Sequence, residues 1–210
     1  MQRQFAVGVR PDGLDQPRNG RLVHGQNWSP SPPTAGLDAL VAFGGTATAS
    51  SQPPVLTGDL TIGLQTTDPV VLPEGNGTVK LADTSLQVIG DLLVGHIQGS
   101  GRVKGILTMS NTDTIAEFSE AFGNVTVALA EPRSGSGTAA GRVSGTVVLS
   151  DQLLSNGTAT QLVVGTTSRA GSTATGEISL GGLLSGFDLV AVGWNQNGDG
   201  YTARERRDYW

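Results

Sequence analysis

The chain has 210 residues, with 31 Gly, no Cys, 15% charged residues and a formal net charge of -5. That length suits one good-sized domain, and the composition excludes a coiled coil, a helical bundle, a disulfide framework and a thiolate metal site. Apolar residues are 37% and regularly spaced, which excludes full disorder.

Residues 1–36 read as an extended N-terminal arm. Turn and polyproline signals recur there, at Arg10-Pro11-Asp12-Gly13, Gln16-Pro17-Arg18-Asn19-Gly20 and Ser29-Pro30-Ser31-Pro32-Pro33. Phe5, Val7 and Val9 alternate, so a short strand is expected at 4–10. Phe5, Val9, Leu22 and Trp28 give the arm apolar anchors that a solvated tail does not need. The arm is basic, with Arg3, Arg10, Arg18 and Arg21 against Asp12 and Asp15, whereas the body is acidic.

Residues 37–200 read as a β domain. Runs rich in Val, Ile, Leu and Thr are broken by Gly, Asn or Pro at short intervals. The expected strands are 55–66, 69–72, 78–82, 85–95, 102–110, 124–130, 141–150, 160–167, 174–180 and 187–194. Asn76-Gly77 and Asn156-Gly157 are dipeptides suited to hairpin turns. Two short helices are expected as exceptions. Thr114-Ile115-Ala116-Glu117 fits a capping box, with Ile115, Phe118 and Phe122 on one face and Gly123 as the stop, which predicts a helix over 114–122. A second is expected over Leu37–Phe43, ending at Gly44-Gly45. The fold class expected from this pattern is all-β, an antiparallel β-sandwich or barrel of jelly-roll type.

An internal echo is present. Gly101-Arg102-Val103-Lys104-Gly105 resembles Gly141-Arg142-Val143-Ser144-Gly145, and Thr57-Gly58-Asp59-Leu60-Thr61-Ile62 resembles Thr175-Gly176-Glu177-Ile178-Ser179-Leu180. The glycines at 58, 90, 105, 145 and 176 are unevenly spaced, so no fixed solenoid period emerges and the echo reads as repeated hairpin grammar.

Residues 201–210 read as an anchoring tail. Arg204, Arg206, Arg207, Tyr209 and Trp210 are residue types that dominate interface hot spots. With Phe5, Val9, Leu22 and Trp28 they form the set of interface candidates.

The search for chemistry yields no catalytic, cofactor or metal residue. His24 and His96 have no neighbouring ligand at metal spacing, and no Gly-x-Ser-x-Gly elbow or phosphate-binding Gly-x-x-x-x-Gly-Lys-Ser/Thr loop occurs. Glu117 and Glu120 fit a solvated face, and Asp59 and Glu177 fit turn or outward strand positions. Asn195-Gln196-Asn197-Gly198-Asp199-Gly200 imitates the start of a calcium loop, but Arg206 stands where the bidentate Glu belongs, so a plain turn is expected. An acidic body without a basic stripe argues against nucleic acid. No run approaches the ~18 apolar residues of a membrane span, and Met1–Phe5 lacks the apolar run of a signal peptide.

Taken together, an intact Met start, the lack of Cys, the Gly/Thr/Ser/Val-rich β grammar, low charge and an extended arm resemble bacteriophage virion proteins, notably head-decoration (cement) proteins and the β-rich parts of tail fibres. The resemblance is one of style over the whole chain and rests on no motif. It implies a non-enzymatic structural protein, made in the host cytoplasm and incorporated into the virion. Its arm and tail would clamp sister subunits, a trimer above all, and a capsid or tail protein. The alternative is a tail-fibre, spike or other receptor-binding module that takes carbohydrate. A β-rich hydrolase whose carboxylates meet only in the fold is the third reading.

Overall fold

The computed structural model describes residues 3–6, 19–21, 28–29, 38–42, 44–50, 55–66, 75–110, 115–118, 123–131, 141–155, 160–168 and 171–195. The strands follow one another in coils. The first coil holds β1 (Arg3–Ala6), β2 (Asn19–Arg21) and β3 (Trp28–Ser29); the second β4 (Asp38–Val41), β5 (Gly45–Ser50) and β6 (Val55–Thr57). The third holds β7 (Leu60–Gln65), β8 (Gly77–Ala82) and β9 (Leu86–Val88), and the fourth β10 (Leu92–Gln98), β11 (Gly101–Ser110) and β12 (Ile115–Phe118). The fifth holds β13 (Val125–Glu131), β14 (Gly141–Leu149) and β15 (Gln152–Ser155), and the sixth β16 (Gln161–Thr167), β17 (Thr173–Leu180) and β18 (Leu184–Ser185); β19 (Leu189–Asn195) follows.

Apart from β6, which pairs only with β9, each described strand from β4 to β16 pairs with the third before and the third after it, and β17, β18 and β19 pair only with the third before. Sheet A has the order β19-β16-β13-β10-β7-β4-β1-β3, sheet B β17-β14-β11-β8-β5-β2 and sheet C β18-β15-β12-β9-β6. Among the described residues every strand pairing is parallel except β1 with β3. This is a β-solenoid of three parallel sheets, and it overturns the expected antiparallel sandwich or barrel. The alternation of apolar and polar residues is the same in both architectures, so the strand positions survive and the pairing partners do not. Expected strand 55–66 divides into β6 and β7 at the corner Gly58-Asp59, and 85–95 divides into β9 and β10 at Ile89–Asp91. Expected strand 69–72 and the Asn156-Gly157 turn lie outside the described residues.

Both expected helices are overturned where the structure describes them. Ile115–Phe118 is β12, hydrogen-bonded in register between β9 and β15. Asp38–Val41 is β4, between β1 and β7. Local capping signals yield here to two neighbouring sheet edges.

The echo is a consequence of stacking. Gly101–Gly105 lies residue for residue on Gly141–Gly145 in sheet B. The second echo does not stack, since Thr57–Ile62 runs from sheet C into sheet A while Thr175–Leu180 lies in sheet B. The coils differ in length: Leu60, Leu92, Val125, Leu162 and Val190 hold one position of sheet A at unequal intervals. Unequal loops leave the sequence without a period although the sheets keep strict register.

Glycines give the cross-section its shape. Gly77, Gly105, Gly145 and Gly176 form a column in sheet B. A Cβ on Gly105 would strike the Ile62 carbonyl and the Gly95 amide, and one on Gly145 would strike the Val94 carbonyl and the Ala128 amide. The backbones of sheets A and B therefore touch along this waist. On the sheet A side β7, β10, β13, β16 and β19 each carry one residue in the left-handed region: Gly63, Gly95, Ala128, Gly165 and Gly193, with φ of 74°, 79°, 66°, 68° and 68°. These stacked left-handed kinks stay in register from strand to strand, bulge the sheet and reset which residues point inward.

The waist divides the interior. The main core lies between all three sheets and includes Ile62, Val79, Leu86, Val94, Leu107, Val127, Val147 and Leu153. A smaller core of Ile97, Val103, Ala128, Ala130, Val143 and Ala174 lies on the other side, between the end of sheet A and the start of sheet B. At the N-terminal end, β1 and β2 continue sheets A and B of the same chain, and β3 lies antiparallel on the edge of β1.

Candidate functional site: a groove on the outer face of sheet A

Sheet A steps inward at each bulge, and a groove runs over the same positions on its outer face. Its first part, about 360 Å³, is lined by Asp38, Leu40, Asp59, Thr61, Leu64, Thr66, Asp91, Leu93, His96 and Gln98, among others. A second part of about 290 Å³ shares Asp91 and Leu93 and continues over Asn124, Thr126, Leu129, Gln161, Val163 and Thr166. The lining residues straddle Gly63, Gly95, Ala128 and Gly165, so the bulge column marks the groove's length.

One rim is a ladder of carboxylates and amides at the corner where sheet C passes into sheet A. The Asp59 amide donates to Asp38 Oδ1 at 3.1 Å, the Asp91 amide to Asp59 Oδ1 at 2.9 Å, the Asn124 amide to Asp91 Oδ1 at 2.7 Å and the Gln161 amide to Asn124 Oδ1 at 3.2 Å. Each side chain thus caps the backbone of the next coil. Gly90 leaves room for this, because a Cβ there would strike Asp59 Oδ1.

The opposite rim is a polar network. Thr66 Oγ1 donates to Gln98 Oε1 at 2.8 Å, and Gln98 Nε2 donates to Glu131 Oε2 at 3.0 Å. His96 Nε2 lies 2.8 Å from the same Glu131 oxygen. Parallel pairing places Gln98 beside Glu131 and His96 beside Leu129, so the dyad is set by the register of β10 on β13. The Glu131 carboxyl is held below its usual value of 4.5, first by the hydrogen bond from His96; burial opposes this, and Gln98 and the His96 charge add to it.

The chemistry available follows from these bonds. Glu131 directs one oxygen at two donors, and its lowered pKa unsuits it as a general acid near neutral pH. Asp38, Asp59 and Asp91 each spend an oxygen on a backbone amide. Among the described residues no group of three or more His, Asp or Glu is placed to hold a metal ion, and no helix is long and apolar enough to cross a membrane.

Of the interface candidates, Phe5 pairs with Ser29 and Leu40, and Trp28 pairs with Ala6, so these two belong to strands of the chain's own first coil. Val9, Leu22, Arg204, Arg206, Arg207, Tyr209 and Trp210 lie outside the described residues, as do His24 and Gln196–Gly200. Of the groove residues the sequence reading singles out only Asp59, as a turn or outward strand position, and His96, as a histidine without a neighbouring metal ligand. A signal for them exists: an Asx or Gln followed four residues on by a bulge residue, as in Asp59…Gly63, Asp91…Gly95, Asn124…Ala128 and Gln161…Gly165. Asp59 and Glu177 are not a pair, since Asp59 stands at the sheet A corner and Glu177 on the exposed face of β17.

No family model, no curated protein and no solved structure matches the chain.

Proposed function

We propose that the chain is a non-enzymatic structural protein of a virion, a stiff element of the decoration, fibre or spike kind that works through its surfaces. The carrying observation is the residue-for-residue stacking of three parallel sheets, locked by backbone contact at the glycine waist. Such a coil stack is a short rod, with the same surface position repeated from coil to coil. The groove supports a surface role more than catalysis, because its carboxylates are engaged in hydrogen bonds that hold coils together. Composition supports the virion setting.

The test uses the full chain on a panel of polysaccharide substrates and a glycan array, beside incorporation of tagged chain into assembling particles of its source. Incorporation without turnover is the expected result. Polysaccharide turnover that Glu131→Gln abolishes would overturn it in favour of a hydrolase, and glycan retention in the groove without incorporation would favour the receptor-binding alternative.

A further inference from the structure

Three neighbouring strands of sheet B, β11, β14 and β17, begin with the same outward–inward–outward pattern. Val103, Val143 and Ala174 belong to the smaller core. The residues that flank them therefore lie on the outer face. Register sets Arg102, Arg142 and Thr173 in one row and Lys104, Ser144 and Thr175 in the next. Strands are about 4.8 Å apart and the two rows about 6.6 Å apart. The grid thus has its cations at one corner and its hydroxyls at the other, and it lines a shallow depression of about 500 Å³. Arg102, Lys104 and Arg142 are exposed, and none makes an ion pair with a described residue. From β5 to β17 the strands of sheet B carry these cations and Lys80 against the single carboxylate of Glu177, although the whole chain has a net charge of -5. Arg102 and Arg142 repel each other across adjacent strands unless an anion lies between them. The waist contacts at Gly105 and Gly145, next to Lys104 and Ser144, fix the backbone under the grid.

We propose that this grid is a binding site for an acidic glycan, one whose sugar units carry a carboxylate or a sulfate ester. The two guanidinium groups offer forked donors to the oxygens of one oxyanion, and Lys104 adds a further charge on the same side. The hydroxyls of Ser144, Thr173 and Thr175 can each donate and accept, which matches the ring hydroxyls beside that oxyanion. A free phosphate or sulfate ion would engage the cations and leave the hydroxyl corner idle. Single-stranded nucleic acid binds by stacking its bases on aromatic side chains, and no aromatic residue lines the depression. A shallow site open across three strands suits a chain of sugars lying over the sheet. The site is on a different sheet from the groove, and it does not depend on incorporation of the chain into a particle.

Fluorescence anisotropy with the full chain tests this, using labelled hexagalacturonate and sulfated maltohexaose beside uncharged maltohexaose and a single-stranded DNA hexamer. One or both acidic glycans should bind, the tighter of them identifying the oxyanion, and uncharged maltohexaose should not. Arg102→Gln with Arg142→Gln should weaken binding about tenfold or more, while far-ultraviolet circular dichroism stays unchanged. Arg142→Lys keeps the charge and loses the fork, so its loss should be smaller than that of the double variant. Lys80 pairs with Thr108, four residues along β11 from Lys104. That is about 13 Å along the strand, beyond the screening length of about 8 Å at 0.15 M salt. Lys80→Gln should therefore change binding less than about twofold. A Lys80→Gln loss as large as that of the double Arg variant overturns the site in favour of a general attraction to the face. Binding that the double Arg variant leaves intact, or uncharged maltohexaose bound as tightly as the acidic glycans, overturns it outright. Tighter binding of the DNA hexamer replaces the glycan with nucleic acid, and failure of both acidic glycans to bind at millimolar concentration removes the site.

Discussion

The inner coils and the last coil use the same residue types in the same register, yet they differ in burial. Leu162 and Val164 of β16 are 2% and 7% exposed, whereas their register partners Val190 and Val192 of β19 are 50% and 40% exposed. Leu153 of β15 is 1% exposed and its partner Leu184 of β18 is 38% exposed. No described strand follows β17, β18 or β19 in its sheet. A solenoid residue is therefore buried by the next coil rather than by its own, and its contribution to stability depends on where in the stack it sits. At the N-terminal end, by contrast, β3 covers the edge of sheet A with an antiparallel strand.

The strongest way to break the comparison is at the waist. Gly145→Ala places a methyl against the Val94 carbonyl and the Ala128 amide inside the stack. It should cost about 3 kcal/mol or more and broaden the urea transition. Gly176→Ala, in the last described strand of sheet B, should cost about half as much, because that edge is free to shift. Equal losses from the two substitutions would show that the last coil is held as firmly as the inner ones.

Cavity formation gives the next largest contrast. Leu107→Ala, at a fully buried site of the main core, should cost about 2–5 kcal/mol, and Val192→Ala less than about 1 kcal/mol. Denaturant midpoints at constant slope measure both. A Val192→Ala loss as large as that of Leu107→Ala would mean that the C-terminal coil is covered in solution.

Smaller effects sharpen the account of the groove rims. Asp91→Ala removes the acceptor for the Asn124 amide and should cost about 1 kcal/mol, whereas Asp91→Asn keeps an acceptor and should lie near the wild type. Matching losses for both would assign the role to charge instead of capping. The smallest effect concerns pH. Folding lowers the Glu131 pKa, so the folded chain binds fewer protons there than the unfolded one. The resulting stabilisation is present above the ordinary carboxylate value of 4.5 and fades as pH falls through the depressed value. Glu131 is partly exposed, so solvent screening keeps the effect small. Glu131→Gln should flatten the acid side of the stability profile, and an unchanged profile would remove Glu131 as its source.

Much of the fold was legible in the residues themselves. Runs of β-forming residues between breakers located the spans of β11, β13, β14, β16 and β17 to within about a residue at each end, because such runs follow from the extended backbone alone. The Gly-Arg-Val echo marked two strands that turned out to be neighbours, whereas the corners at Gly58 and Gly90 were read as strand interior. The all-β class and the lack of a cysteine framework also needed no coordinates. What tertiary structure decided was the choice of neighbour. Parallel and antiparallel sheets demand the same alternation, and corners of unequal coils look like hairpin turns, so pairing every third strand left no local signal. Ile115–Phe118 became a strand because β9 and β15 offered it two edges at once, overriding a capping box that acts within one turn. His96, Gln98 and Glu131 form one network because the coils bring them together across more than thirty residues of chain, and local pattern carries no information over such a separation.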